Sequence, residues 1–146
     1  MHSRQLRRLE PGDEAVAEAA CRRFGPGGDL DTRSFLTRPE ATLLVVEADG
    51  GVAGWVYGHE LAHPDGERTM LLYALDVAEE HRGRGYGSAL VKAFVHDARR
   101  RGCTEVWVLT DQDNDSGVAT YTSAGGVPNA ARPVMFTWKL AEGRHS

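Results

Sequence analysis

The chain has 146 residues, 41% of them apolar and 26% charged, which are the proportions of one globular domain with room for a real core. Its 21 acidic and 17 basic residues leave a formal charge of −4, which disfavours bulk binding to nucleic acid and suits a cationic small molecule. Two cysteines make neither a disulfide framework nor a metal-ligand spacing, no stretch approaches the ~18 apolar residues of a membrane span, and the basic start lacks the apolar core of a signal peptide.

Within an expected single cytoplasmic domain, 1–146, residues 3–9 read as a short first strand. Pro11-Gly12-Asp13 breaks the chain, and Asp13 is placed to cap a helix running to about residue 24. Val16, Ala19, Ala20 and Phe24 recur there at helical spacing. A glycine-rich loop over 25–29 follows, then a second short helix over 31–36 with Asp31 or Thr32 as its cap, ended by Pro39. The period then changes to that of strands. Residues 42–47 and 52–61 flank the hairpin turn Ala48-Asp49-Gly50-Gly51, and Pro64-Asp65-Gly66-Glu67 leads into a third strand over 68–77.

Directly after that strand comes His81-Arg82-Gly83-Arg84-Gly85-Tyr86-Gly87-Ser88, and then a helix of about 16 residues. Leu90, Val91, Phe94 and Ala98 form its apolar face, Gly102 stops it, and Arg99-Arg100-Arg101 reads as a solvated end complementing the dipole. Residues 105–110 read as a strand, Asp111 to Asp115 as a polar loop, 116–124 as a short helix, 134–140 as a last strand and 141–146 as a frayed tail. The sum is an α+β (mixed α/β) fold. Its antiparallel meander is followed by a β–α–β–α–β half that requires a crossover, and so a locally parallel strand pair.

A strand that enters a glycine-rich turn and leaves as a helix presents several backbone N–H groups to an anion, usually a phosphate. The dinucleotide fingerprint G-x-G-x-x-G fails here because its third glycine position is Ser88, and the Gly-Lys-Ser/Thr of a P-loop is absent. The pattern Arg/Gln-x-x-Gly-x-Gly/Ala is met in full by Arg82 through Gly87. Downstream, Asn114 stands seven residues before Tyr121, and Gly125 four residues after it.

These two motifs, in this order, resemble those of the GNAT N-acetyltransferases over nearly the whole chain. The resemblance implies a GNAT fold: a mostly antiparallel sheet with a parallel, splayed strand pair at the acetyl-CoA site, flanked by about four helices. It implies acetyl-CoA as cofactor, held by Leu75, Asp76, Val77, the turn Arg82, Gly83, Arg84, Gly85, Tyr86, Gly87 and Ser88, and by Asn114, Gly117 and Tyr121. Tyr121 is then the general acid for the departing thiolate, and an amine attacks the thioester directly. Within the family the chain is most similar to aminoglycoside 3-N-acetyltransferases, through Leu72-Tyr73, Glu80-His81-Arg82, Thr110-Asp111 and Val118-Ala119-Thr120-Tyr121-Thr122. Those enzymes carry an acid where this chain has Ala74. Asp76, two residues on and on the same strand face, is the candidate substitute.

The base has three carboxylate candidates, Glu60, Asp76 and Asp111, with His59 as a fourth group. Asp29, Asp31, Glu60 and Asp111 are candidates for the surface that receives a cationic amine. No metal site is expected, since His59 and His63 lie on a strand and a turn. Trp55 and Tyr57 alternate on one strand face and read as core residues or as the floor of an acceptor pocket. Trp138 reads as a contact in a homodimer, and no nucleic-acid or membrane partner is expected.

Overall fold

In the computed structural model, which describes residues 4–25, 27–129 and 135–140, the chain runs β1 (Arg4–Arg8), α1 (Glu14–Phe24), α2 (Thr32–Leu36), β2 (Ala41–Ala48), β3 (Gly51–Ala62), β4 (Arg68–Val77), a 3-10 turn (Glu79–His81), α3 (Tyr86–Arg100), β5 (Glu105–Trp107) and α4 (Asp115–Ser123). The strands form one sheet in chain order. β1 to β4 are antiparallel and β5 runs parallel to β4. This is the mixed architecture the sequence implies.

The sheet is covered on both faces, which explains the unbroken apolar run of β2. Leu44, Val46 and Ala48 pack towards α3, and Leu43 and Val45 pack towards α1 and α2. The α3 face chosen by its periodicity is the buried one: Leu90, Phe94 and Ala98 are all 0% exposed. Burying the Leu90 and Phe94 side chains contributes about 1.5–3 kcal/mol each. Glycines in β3 admit the helix. A Cβ at Gly54 would stand 3.1 Å from Leu90 Cδ1, and one at Gly58 would stand 2.7 Å from the Phe94 ring and collide with the Leu71 carbonyl. The β2–β3 hairpin turns through Asp49 (φ 54°) and Gly50 (φ 81°), the positive pair that matches strand twist.

Four local expectations change. Asp13 stands at the α1 N-cap position but does not bond forward. Its carboxylate accepts from the Glu10 N–H at 2.8 Å and from Arg7 at 3.1 Å, folding the preceding turn instead. Arg101 is no solvated helix end. Its Nε donates to Asp97 at 2.9 Å, and its two Nη atoms donate to Pro39 O at 2.6 Å and Ala41 O at 3.2 Å, clamping the end of α3 to the start of β2. β5 stops at Trp107 because its pairing to β4 ends at Leu71↔Trp107. Residues 135–140 form no strand: they have no ladder partner among the described residues, and Met135, Phe136, Trp138 and Leu140 stand exposed. Val134 and the expected tail over 141–146 lie outside the described residues.

Candidate active site

The ladder between β4 and β5 covers only Thr69 to Leu71. Beyond it the strands part, so the stretch Leu72 to Val77 has an edge without a strand neighbour among the described residues. On its other side β4 pairs with β3, with a shift from Gly58↔Leu72 to Tyr57↔Ala74. Tyr73 is the extra residue of that bulge. It is 65% exposed, and its ring lies 5.7 Å from Tyr57. The splay implied for the coenzyme site is therefore built from a short ladder and a bulge.

The free edge leads through the 3-10 turn into the glycine turn. Gly83 (φ 80°) and Gly85 (φ 81°) hold left-handed backbone, and a Cβ on either would meet nothing within 4 Å. Space therefore lies open in front of both. The first hydrogen bond of α3 runs from Ala89 N–H to Gly85 O, so the N–H groups of Tyr86, Gly87 and Ser88 stand ahead of it at the positive end of a 15-residue helix. Gly87 is glycine for another reason: a Cβ there would stand 3.2 Å from Thr120 Cγ2, so it sets the approach of α4. Arg82 Nε donates to Val77 O at 3.2 Å and folds the turn back on the strand. Arg84 donates to His81 Nδ1 at 3.3 Å and lies 3.8 Å from Asp49. The Tyr86 ring is buried beside His81, with the Arg4 guanidinium 5.3 Å above it, which leaves only its main chain for a ligand.

Asn114 caps α4. Its Oδ1 accepts from Gly117 N–H at 3.1 Å and its Nδ2 donates to Thr110 Oγ1 at 3.0 Å, tying the helix start to the chain leaving β5. A side chain at Gly117 would collide with that cap. α4 in turn carries Tyr121, which is half-buried against the α3 core. Burial pushes its hydroxyl pKa up and the charge of Asp76 adds to the shift, so Tyr121 holds its proton beyond the ordinary tyrosine range.

Asp76 is placed by its strand partner. Trp55 faces it across the β3–β4 pair, and the indole Nε1 donates to Asp76 Oδ2 at 2.8 Å. The same indole forms one wall of a cavity of about 270 Å³ between α1, α2 and β3, with Tyr57, Phe35, Leu43 and Leu30 as further walls. Asp29 and Asp31, two of the candidate acceptor carboxylates, line it as well, and Asp31 also caps α2 by accepting from Ser34 N–H at 3.2 Å. Cys21 is on the cavity wall, and burial raises its thiol pKa; Cys103 is raised by burial and by Glu60. Both sulfurs stay protonated and weakly nucleophilic.

Two candidates stand apart. Glu60 lies in the far part of β3, opposite Met70, with Arg68 at 3.3 Å and Arg101 at 3.8 Å. Asp111 folds its own loop, accepting from Asp113 N–H at 3.0 Å. His59 packs edge-on to Phe35, and His63 bonds Thr69 at 3.1 Å. No cluster of metal-ligating side chains occurs among the described residues. Tyr73 is the residue the sequence hides best, because a bulge is set by strand pairing rather than by composition.

A family model described as the acetyltransferase (GNAT) family matches residues 13–125. The chain belongs to the GNAT family of acetyltransferases. GNAT acetyltransferases use acetyl-CoA. N-acetyltransferase 8 of Rattus norvegicus is 32% identical over 95 residues, which are 64% of this chain and 43% of that protein. The chain thus spans less than half the length of that relative. The same GNAT fold recurs in an aminoglycoside acetyltransferase from an uncultured soil metagenomic sample, solved with trehalose (TM-score 0.86, 19% identity, 94% of this chain and 97% of that one). It recurs again in the aminoglycoside N-acetyltransferase AAC(6')-Iy, solved with CoA (TM-score 0.74, 17% identity, 97% of each chain).

Proposed function

We propose that this GNAT chain moves the acetyl group of acetyl-CoA to a primary amine of a small cationic acceptor by direct attack. The observation that carries the reading is the glycine turn with open space before Gly83 and Gly85, reached from a stretch of β4 that has no β5 partner and carries Asp76, whose charge acts on Tyr121. The turn fits the coenzyme. The N–H groups of Tyr86, Gly87 and Ser88 and the charges of Arg82 and Arg84 suit a pyrophosphate, and main chain at Leu75 and Val77 suits the pantetheine arm. Bound acetyl-CoA supplies the electrophilic carbonyl. Asp76 accepts the proton that an ammonium must lose before its nitrogen can attack, with Trp55 Nε1 fixing the carboxylate. Tyr121 Oη holds the proton for the leaving sulfur, and its raised pKa keeps that proton in place. Glu60, held by two arginines, serves the fold in this reading, and Asp111 serves its loop.

For the acceptor, the sequence resemblance and the names of the solved neighbours support an aminoglycoside, with resistance as the consequence; the 3-N position rests on the resemblance alone, since the neighbour solved with CoA is named AAC(6')-Iy. Asp29 and Asp31 at the cavity would meet its ammonium groups. A second reading, another small amine, is favoured by the aromatic walls of the same cavity. Thiol release from acetyl-CoA across a panel of amines, with NMR of each product, tests both. Activity lost in Asp76→Asn but not in Glu60→Gln is the expected outcome, and the reverse would remove Asp76 as base. We further propose a cytoplasmic homodimer joined through the exposed apolar residues of segment 135–140. Light scattering of the protein with and without Trp138→Glu checks the dimer. No helix among the described residues is long and apolar enough to cross a membrane.

A further inference from the structure

His81 is a buried titratable side chain beside the glycine turn that the proposed reaction leaves unused. It ends the 3-10 turn and is 7% exposed. Its Nδ1 lies 3.3 Å from Arg84 Nη1. An arginine can only donate, so Nδ1 accepts here, an arrangement made by the neutral ring with its proton on Nε2. Asp49, at the tip of the β2–β3 hairpin, brings its Oδ2 to 3.8 Å from the same Nη1 and to 4.0 Å from the same Nδ1. One carboxylate therefore stands beside both the guanidinium and the imidazole.

The other charged groups around the ring are engaged elsewhere or stand further off. On its own turn Glu79 is exposed, and Glu80 pairs with Arg23 of α1. From α3 the Tyr86 ring lies 5.9 Å away, and the Arg4 guanidinium of β1 lies 5.3 Å from that ring. Arg82 Nε bonds Val77 O at 3.2 Å. Arg84 is the exposed residue between Gly83 and Gly85, in front of whose left-handed backbone there is open space, so its guanidinium has room to swing forward.

A pyrophosphate in front of the turn brings negative charge to the space that Arg84 borders. It competes with His81 Nδ1 for the guanidinium, and a charge-assisted bond to phosphate outweighs one to a neutral ring. Nδ1 is then left in a nearly closed site without its donor, next to Asp49. A new anion nearby also favours the charged form of a base, whether or not Arg84 keeps its contact. We infer that His81 is a positioning residue linked to the coenzyme by a proton: it holds Arg84 back against Asp49 in the free protein, and when CoA draws the guanidinium forward, Nδ1 takes up a proton from solvent and pairs with Asp49. The inference rests on the coenzyme assignment of the turn above, and on the His81–Arg84–Asp49 geometry for the proton. Histidine is the side chain suited to such a link between pH 5 and 8. Because the bound form holds more protons, affinity rises as pH falls.

Dephospho-CoA is the probe, since the phosphomonoester of CoA itself titrates at about pH 6 and would exchange a proton of its own. Calorimetric titration at pH 7 in two buffers of different ionisation enthalpy, neither of them phosphate, counts the protons exchanged. The parent protein is expected to take up a fraction of a proton. Its affinity should strengthen from pH 8 to pH 6 by up to about tenfold, the effect of one group whose titration moves by a pH unit on binding. His81→Asn keeps an acceptor near the place of Nδ1 but does not titrate, and should show neither the uptake nor the pH slope. Asp49→Asn removes the counter-ion and should reduce the uptake. A purely structural His81 would shift the melting midpoint of His81→Asn and leave the proton count unchanged. If His81→Asn melts early, nitrogen NMR of the imidazole in the parent protein decides: the His81 ring should move from the Nε2-protonated tautomer toward the doubly protonated form as dephospho-CoA is added. A ring that stays neutral, proton release or no exchange in the parent, or an uptake that survives in His81→Asn overturns the inference and leaves the coenzyme site standing. Failure of both CoA and dephospho-CoA to bind would remove the coenzyme assignment, and the inference with it.

Discussion

Replacing Gly85 by valine separates the two jobs of the glycine turn. Gly85 sits at φ 81° as the N-cap of α3, in backbone that an L side chain enters at a cost of about 1–2 kcal/mol, more for a β-branched one. No atom lies within 4 Å of its notional Cβ, so the substitution adds strain without a clash inside the protein. At ~2–4 °C per kcal/mol for a domain of this size, the melting midpoint should fall by roughly 3–8 °C and the fold should survive. The new methyls would occupy the space in front of the α3 N-terminus. Losing two charge-assisted N–H contacts there, at about 1.5–3 kcal/mol each, weakens CoA more than ~100-fold. Calorimetric titration with CoA at low salt, beside a thermal melt, reads both quantities. Gly87→Ala is the contrast. Its Cβ presses on Thr120 across the α3–α4 contact, so turnover should suffer more than CoA binding. Parent-like CoA affinity in Gly85→Val would refute the assignment of the turn to the pyrophosphate.

Tyr121→Phe should lower kcat by roughly 10²–10⁴, the usual worth of a positioned acid, with CoA binding unchanged; because the Tyr121 pKa is raised, any loss of kcat on deprotonation in the parent belongs above the ordinary tyrosine range of ~10. Arg101→Ala removes the clamp on β2 and leaves Asp97 buried with less compensation, at a cost of about 3–5 kcal/mol by urea melts at neutral pH. Burial alone would raise the Asp97 pKa, but bonds from Arg101 and Thr42 and the charges of Arg8 and Arg101 hold it below the usual carboxylate value. A depressed folded pKa contributes stability above the unfolded value of ~3.9 and loses it as pH falls through the folded one, so the Arg101→Ala deficit should shrink in acid. A deficit equal at pH 7 and pH 3 would count against this. Gly58→Ala should destabilise by about 1–3 kcal/mol or more, since the Phe94 ring or the β4 backbone must move; an unchanged melt would show that α3 rides further from the sheet.

What the sequence made legible was local. The α3 face, the bounds of β4 and the Asp31 cap follow from spacing and turn residues that act within a few positions. Arg101 reads as solvated in the sequence because its environment is assembled from far away: Thr42 and Arg8 reach Asp97 from β2 and β1, and only then is the Asp97–Arg101 pair buried. β5 and segment 135–140 read too long for a related reason. Apolar composition fits a strand, but a strand needs a ladder, and the ladder ends where β4 and β5 part. The glycine turn was readable because few residues besides glycine hold a positive φ; Asn114, read for the coenzyme, also caps α4. The cavity was legible only in part: Trp55 and Tyr57 read as core or as a pocket floor, while Phe35 and Leu30 join them only once α1, α2 and β3 meet.

Trp55 belongs to two places at once. Its ring face forms the wall of the cavity and its Nε1 holds Asp76. Under the proposed mechanism, a guest that tilts the indole also turns the base. An ill-fitting amine would then be penalised in the chemical step as well as in residence time, and selectivity would appear in kcat even among acceptors that bind equally well.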